Sequence, residues 1–333
     1  MINLMKTLTA VRGVSGREKA TSDKILSLIA PLTDKCYNDA MGSLIAFKKG
    51  TAPDGERKTV MLCAHMDEIG FLVTFIEDNG MIRLATIGGI SFVASIYSTV
   101  VFDNGVKGVL VPNWGTAPQD LKVENVYVDI GAKDKKEAER KVSVGDFCAV
   151  EGKVTRLLGR RIVGRPFDDR VGCAVLIKIA EKLKETPVRD DVYFVFSVQE
   201  EVGLRGARTA AYGIMPDVAL AYDITGTGDE PGCRPMACHM GAGAAIKIKD
   251  AMVICDHDLV QELAEVAKAN DIKHQFEILH SGGTDTAAMQ AAGAGVRAGA
   301  ISIPTRYGHS GVEMIDAADA DACVDLTVAW LKK

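Results

Sequence analysis

The sequence predicts an α/β fold: a three-layer, mixed-sheet domain with helices on both faces, interrupted by a mostly β insertion. Three observations carry this prediction. After Arg165, helix-period apolar stretches alternate with short apolar strand runs for the rest of the 333-residue chain, the pattern of helices packed on both sides of a sheet. Between about 70 and 162 the chain changes to short strands with hairpin-turn signals. The run Val60-Met61-Leu62-Cys63-Ala64 is apolar throughout. It reads as a strand buried on both faces, and it leads directly into the insertion. The expected boundaries are 1–69 plus 163–333 for the α/β domain and 70–162 for the insertion.

The elements follow in order. Leu4, Leu8 and Val11 share a helical face. After Gly13-Val14-Ser15-Gly16 a second helix begins, with Ile25, Leu28, Ile29 and Leu32 as its apolar stripe. Ser15 and Glu18 have the spacing of a capping box, so Ser15 is expected to bond the first-turn amides. Strands are expected at Ser43–Phe47 and Thr59–Ala64. In the insertion, Asp78-Asn79-Gly80 separates strands 71–76 and 81–85, and Asn104-Gly105 separates 99–102 and 108–111. Asn-Gly supplies the positive φ of a tight hairpin turn. Further strands are expected near 127–130, 147–150 and 153–157, with one charged helix near 133–141. Beyond Arg165 the expected helices are 170–184, 204–212, 258–269, 284–292 and 316–331. They alternate with strands 192–198, 218–222, 242–254, 275–279 and 296–303.

Composition narrows the function classes. Net charge is −5, without the basic footprint of a nucleic-acid binder. Aromatic residues are 6% of the chain, few for a stacking platform. No stretch approaches the roughly 18 apolar residues of a membrane helix. Met1–Ala20 lacks a secretory leader pattern, so a cytoplasmic location is expected. The eight cysteines form no CxxC pair and read as small buried hydrophobes rather than disulfides.

Five islands carry chemistry. Ala64-His65-Met66-Asp67 follows the buried strand, where open α/β sheets place ligands. Its His-x-Asp spacing suits a carboxylate that orients a metal-bound imidazole. Arg165-Pro166-Phe167-Asp168-Asp169-Arg170-Val171-Gly172 sets two carboxylates before a helix, which alone reads as an N-cap with its neighbour in the first turn. Ser197-Val198-Gln199-Glu200-Glu201 leaves another core strand. Two glutamates there must be solvated, paired or metal-bound, and adjacent side chains diverge, so they can hold different roles. Asp223 ends the run Val218–Ala221, and His309 lies shortly after strand 296–303. Singly, each is a turn, a cap or a local hydrogen bond. Together they supply nitrogen and oxygen ligands without thiolate, which suits two divalent metals: zinc first, with cobalt or manganese as alternatives. A spare carboxylate remains as general base.

The islands AHMDEIG, RPFDDRVG, QEEVGLRGA, Asp223, SGGTD (281–285) and PTRYGHSGVE together resemble the tetrahedral, TET-type aminopeptidases. That family includes glutamyl and leucyl aminopeptidases and proteins labelled as cellulases. The resemblance spans essentially the whole chain. It implies a metallopeptidase domain in which His65 binds one metal, oriented by Asp67, and Asp168 bridges two metals across a cis Asp168–Asp169 peptide. It implies Glu201 and Asp223 as terminal ligands, one per metal, and His309 as completing the second site. Glu200 and Asp67 are then the catalytic pair, with Glu200 taking the proton of the attacking water. It further implies peptide substrates, a dimerisation role for the β insertion, and dimers assembled into hollow dodecamers. Gly308 and Gly311 depart from the family pattern, which has a bulkier residue and a proline there, and this bears on substrate preference. The competing readings are another metal-dependent amide hydrolase, such as a deacylase or deacetylase, and a non-catalytic assembly protein. Arg234 is a candidate contact for an acidic substrate side chain.

Overall fold

The run expected to be buried on both faces becomes the centre of the large sheet. The protein is described here by a computed structural model covering residues 1–333. Helices α1 (Ile2–Thr9) and α2 (Lys19–Ile29) precede strands β1 (Lys35–Asn38), β2 (Leu44–Lys48) and β3 (Thr59–His65). Next come β4 (Gly70–Ile76), β5 (Ile82–Ile87), α3 (Phe92–Ser95), β6 (Thr99–Phe102) and β7 (Lys107–Pro112). They are followed by β8 (Val126–Asp129), α4 (Lys135–Glu139), β9 (Phe147–Val150), β10 (Thr155–Arg156) and β11 (Arg161–Gly164). The chain continues through α5 (Arg170–Leu183), β12 (Asp191–Ser197), α6 (Arg205–Ile214) and β13 (Val218–Thr225). The last elements are β14 (Ala244–Lys249), α7 (His257–Ala269), β15 (His274–Ile278), α8 (Asp285–Gln290), β16 (Arg297–Arg306), β17 (Glu313–Asp316) and α9 (Ala317–Leu331).

The large sheet runs β1-β2-β12-β3-β13-β16-β17-β11-β10, with β14 pairing β16 and β15. Its centre is parallel: β12 on β3, β3 on β13 and β13 on β16. Side chains of β3 alternate between the faces. Val60, Leu62 and Ala64 join a core with α1, α5, α7 and α9, while Met61 and Cys63 join a second core with α6 and α8. These two cores, one on each side of the sheet, make the three layers.

Register positions the site. Ser197 pairs with His65, and Ala221 with Cys63, so Asp223 lies two residues on, level with His65. The carboxyl ends of three parallel strands therefore meet at one edge, where ligands of open α/β sheets collect.

The strands from β4 to β9 close into an antiparallel barrel in the order β4-β5-β8-β7-β6-β9. It has its own core, including Phe71, Val73, Phe102 and Val128. Gly80 and Gly105 each take φ +87° at the two Asn-Gly turns, the conformation that places glycine there.

The structure differs from expectation at several elements. The strand expected at 153–157 shortens to β10, and it pairs with β11 at the edge of the large sheet rather than joining the barrel. β1, β11, β17 and the short α3 were not expected. Ser15 does not cap α2: that helix has no side-chain cap, and the Ser15 hydroxyl donates instead to Asp67 Oδ2 at 2.6 Å. A charged, buried acceptor outcompetes a neutral amide for that hydroxyl. All eight cysteines are free, six of them buried.

Candidate active site

His65 is the last residue of β3, and its backbone N–H donates to Asp169 Oδ2 at 3.2 Å. Its Nε2 lies 3.0 Å from Asp168 Oδ1. Its Nδ1 lies 3.2 Å from the main-chain oxygen of Asp67 and 3.5 Å from Asp67 Oδ1. On the other side, His309 Nε2 lies 3.0 Å from Asp168 Oδ2 and 3.7 Å from Glu201 Oε1. The two oxygens of Asp168 thus face two different imidazoles. Asp223 Oδ1 and Glu200 Oε2 each lie 3.9 Å from His65 Nε2. The donor atoms fall into two groups that share Asp168: His65, Asp168 and Asp223, and Asp168, Glu201 and His309.

Asp168 and Asp169 divide their work. Asp169 Oδ1 accepts from Gly172 N at 2.9 Å and caps α5, while Asp168 turns into the cleft. The peptide between them is cis. His309 adopts φ +59° after β16, and its Nδ1 lies 2.8 Å from the Gly89 carbonyl of the barrel segment. That acceptor favours the proton on Nδ1 and leaves Nε2 for Asp168.

Asp67 organises the doublet after β12. Its carboxylate accepts from Ser15 Oγ and from the backbone N–H groups of Glu200 (3.0 Å) and Glu201 (3.2 Å). Glu18 Oε1 accepts from Gln199 N at 3.1 Å, where the backbone takes φ +56°. The loop before α2 therefore braces the turn carrying Glu200 and Glu201. Glu313 does the same for the other half: its carboxylate accepts from the N–H groups of Phe167, Asp168 and His309. Arg165 Nη1 lies 3.6 Å from Glu313 Oε1 and donates to Ser310 O at 3.1 Å. Arg165 and Glu313 were given no role from sequence, and Ser15 and Glu18 only that of a capping box. Arg165 and Glu313 lie inside motif islands, which is the only signal that could have singled them out. Asp285, from the SGGTD island, is buried at the start of α8 and accepts from Ser197 Oγ.

The electrostatics are those of crowded acids. Burial pushes the Asp223 and Glu201 carboxyls up to about 8, and in each the charge of Asp168 adds to the effect. Burial, with the nearby Asp223, Asp285 and Glu201, also raises Glu200 well above its usual range. Burial opposes the charge on Asp168, but hydrogen bonds from His309 and His65 hold its carboxyl far below the usual value. The Asp168 contact is the main reason His309 rises to about 10. Glu201 Oε1 is buried and without a hydrogen-bond partner. Such an atom carries a desolvation cost unless a cation or donor meets it. Four carboxylates and two imidazoles around one space, one oxygen orphaned and no thiolate present, fit divalent cations bound through nitrogen and oxygen.

These residues line a cleft of about 430 Å³. A larger cleft of about 970 Å³ lies between the α1–α2 loop and Asp103, but neither donor-atom group borders it. Arg234 is exposed and does not line the smaller cleft.

The chain matches the family described as M42 glutamyl aminopeptidase over residues 42–326. It is 34% identical over 346 residues to the lysyl aminopeptidase of Pyrococcus furiosus, covering 99% of this chain and 96% of that one. An aminopeptidase structure from Desulfurococcus kamchatkensis superposes with a TM-score of 0.94 at 37% identity, covering 99% of this chain and 94% of that one. The TET1 peptidase of Pyrococcus horikoshii, which can assemble into a tetrahedron or a large octahedral shell, superposes at 0.88 with 32% identity, covering 100% and 99%.

Proposed function

The chain belongs to the M42 glutamyl aminopeptidase family, and from that premise we propose that it removes N-terminal residues from peptides at a two-metal site. The observation that carries this reading is Asp168, whose two oxygens each sit 3.0 Å from a different histidine. In this reading His65, Asp168 and Asp223 hold one divalent ion, and Asp168, Glu201 and His309 hold the other. Zinc is the first choice, with cobalt and manganese open to the same ligands. Bound divalent ions supply Lewis acidity to a carbonyl and lower the pKa of water.

The chain's own residues do the rest. Glu200 borders the cleft but belongs to neither donor group. It is assigned to take the proton of the attacking water and deliver it to the leaving amine nitrogen. Burial and neighbouring acids raise its carboxyl, as suits a group that must both accept and return a proton. Asp67 is assigned to orient His65 and, through two backbone N–H groups, to fix the doublet carrying Glu200. Carboxylates at the cleft are the groups available to receive a free substrate N-terminus, which a deacylase would not need.

The Glu200→Gln variant is expected to retain both metals and lose roughly 10³-fold in kcat. p-Nitroaniline release from aminoacyl substrates, alongside metal analysis, checks this. N-acetylated substrates should be refused by the wild type; rapid cleavage of them would favour the deacylase reading.

The proposal extends to assembly. The barrel insertion is assigned as a dimerisation module, and dimers are taken to build a larger homo-oligomer of twelve chains; the assembling TET1 relative supports this. No helix is long and apolar enough to cross a membrane. A cytoplasmic location is part of the same proposal and is supported by the eight unpaired cysteines, which suit a reducing compartment.

A further inference from the structure

We infer that the substrate pocket takes an uncharged, apolar N-terminal side chain of the leucine or methionine class and discriminates against glutamate and lysine. The inference rests on the aminopeptidase reading above. The cleft has two unlike walls. One carries the candidate metal ligands and Glu200. The other consists of Ile224, Thr225, Met252, Leu279, Gly282 and Gly283, none of them charged.

The cation behind this wall is sealed off. Lys247 is fully buried, with Nζ paired to Glu277 and 3.5 Å from Asp250 Oδ2. Thr225 Oγ1 donates to Glu277 Oε1 at 2.9 Å, so Thr225 meets that buried cluster with its hydroxyl. Arg306 is likewise occupied: its Nε and Nη2 donate to the two oxygens of Asp229 at 3.1 and 2.6 Å, and it does not border the cleft.

A glutamate side chain would therefore be desolvated against a wall that offers no free cation, beside Glu200, the one cleft carboxylate outside both donor groups. A lysine would bring its ammonium against a neutral wall, where burying an unpaired charge is costly. A leucine or methionine side chain would bury apolar surface against Ile224, Leu279 and Met252. Met252 is 61% exposed and lies over Gly283, where an added Cβ would come within 2.4 Å of its sulfur. The glycine leaves room for this thioether at the cleft, and a flexible methionine adapts to branched or linear partners.

The test uses zinc-loaded protein and the p-nitroanilides of leucine, methionine, glutamate and lysine. We expect kcat/KM for leucine or methionine to exceed both charged substrates by about tenfold or more. Free leucine or methionine should raise the melting temperature more than glutamate or lysine does. In Met252→Lys the glutamate-to-leucine ratio should rise about tenfold. Glutamate or lysine as the best wild-type substrate, or an unmoved ratio in Met252→Lys, overturns the proposal while leaving the aminopeptidase reading intact. Failure of metal-loaded protein to cleave any of the four overturns both.

Discussion

Ser15 contributes a single hydroxyl, yet it reaches the centre of the candidate site. It is one of three donors to the buried carboxylate of Asp67; the others are the N–H groups of Glu200 and Glu201. Burial disfavours charge on Asp67, but His65 and Ser15 hold its carboxyl below the usual range. Ser15→Ala removes a charge-assisted bond and is expected to cost about 1–2 kcal/mol of stability. Because Asp67 also fixes the doublet, kcat/KM should fall by about tenfold, an effect of roughly 1.4 kcal/mol. Denaturant melts and steady-state kinetics check the two effects separately. Unchanged kinetics would show that the two backbone amides suffice to hold Asp67.

At the scale of elements, the end of β16 is tied to the loop after β13 by Arg306 and Asp229. Desolvation works against the Asp229 carboxylate, but its two bonds from Arg306 bring it down from 3.8 to about 2. A depressed acid contributes stability that is present above its unfolded pKa and is lost as pH falls through the folded one. The contribution of Asp229 is therefore complete above about pH 4 and fades towards about pH 2. Asp229→Asn should lower stability by about 1 kcal/mol at neutral pH and very little near pH 2, as urea titrations at both pH values would read. The same scale explains what was legible in the sequence. β3, β12 and β13 were legible because each is a continuous apolar run with its chemistry at the carboxyl end. β1, with the mostly exposed sequence Lys35-Cys36-Tyr37-Asn38, and the four-residue β17 were not, because only their partners in the sheet make them strands. Ser15 was misread for a related reason. Its local spacing fitted a cap, and its real partner lies 52 residues away.

For the whole molecule, the site is where opposing elements deliver like charges to one space. Asp168, Glu200, Glu201 and Asp223 border a single cleft with two histidines. Removing divalent ions with a chelator should therefore lower stability. A ligand held at about 100 times its Kd contributes roughly 2.7 kcal/mol, which in a domain of 150–250 residues corresponds to a melting shift of about 5–10 °C. Calorimetry before and after chelation, with recovery on adding zinc, checks this; an unmoved melting temperature would argue against metal binding. The barrel is tied to the same space. Gly89, between β5 and α3, offers the carbonyl that faces His309 Nδ1. For protein engineering this sets a limit on miniaturisation. A shortened chain in which the barrel, 70–150, is excised and the ends rejoined would keep the parallel strands that carry His65, Glu200, Glu201 and Asp223. It would lose the lock on one imidazole's tautomer, so a minimal version needs a replacement acceptor grafted beside His309.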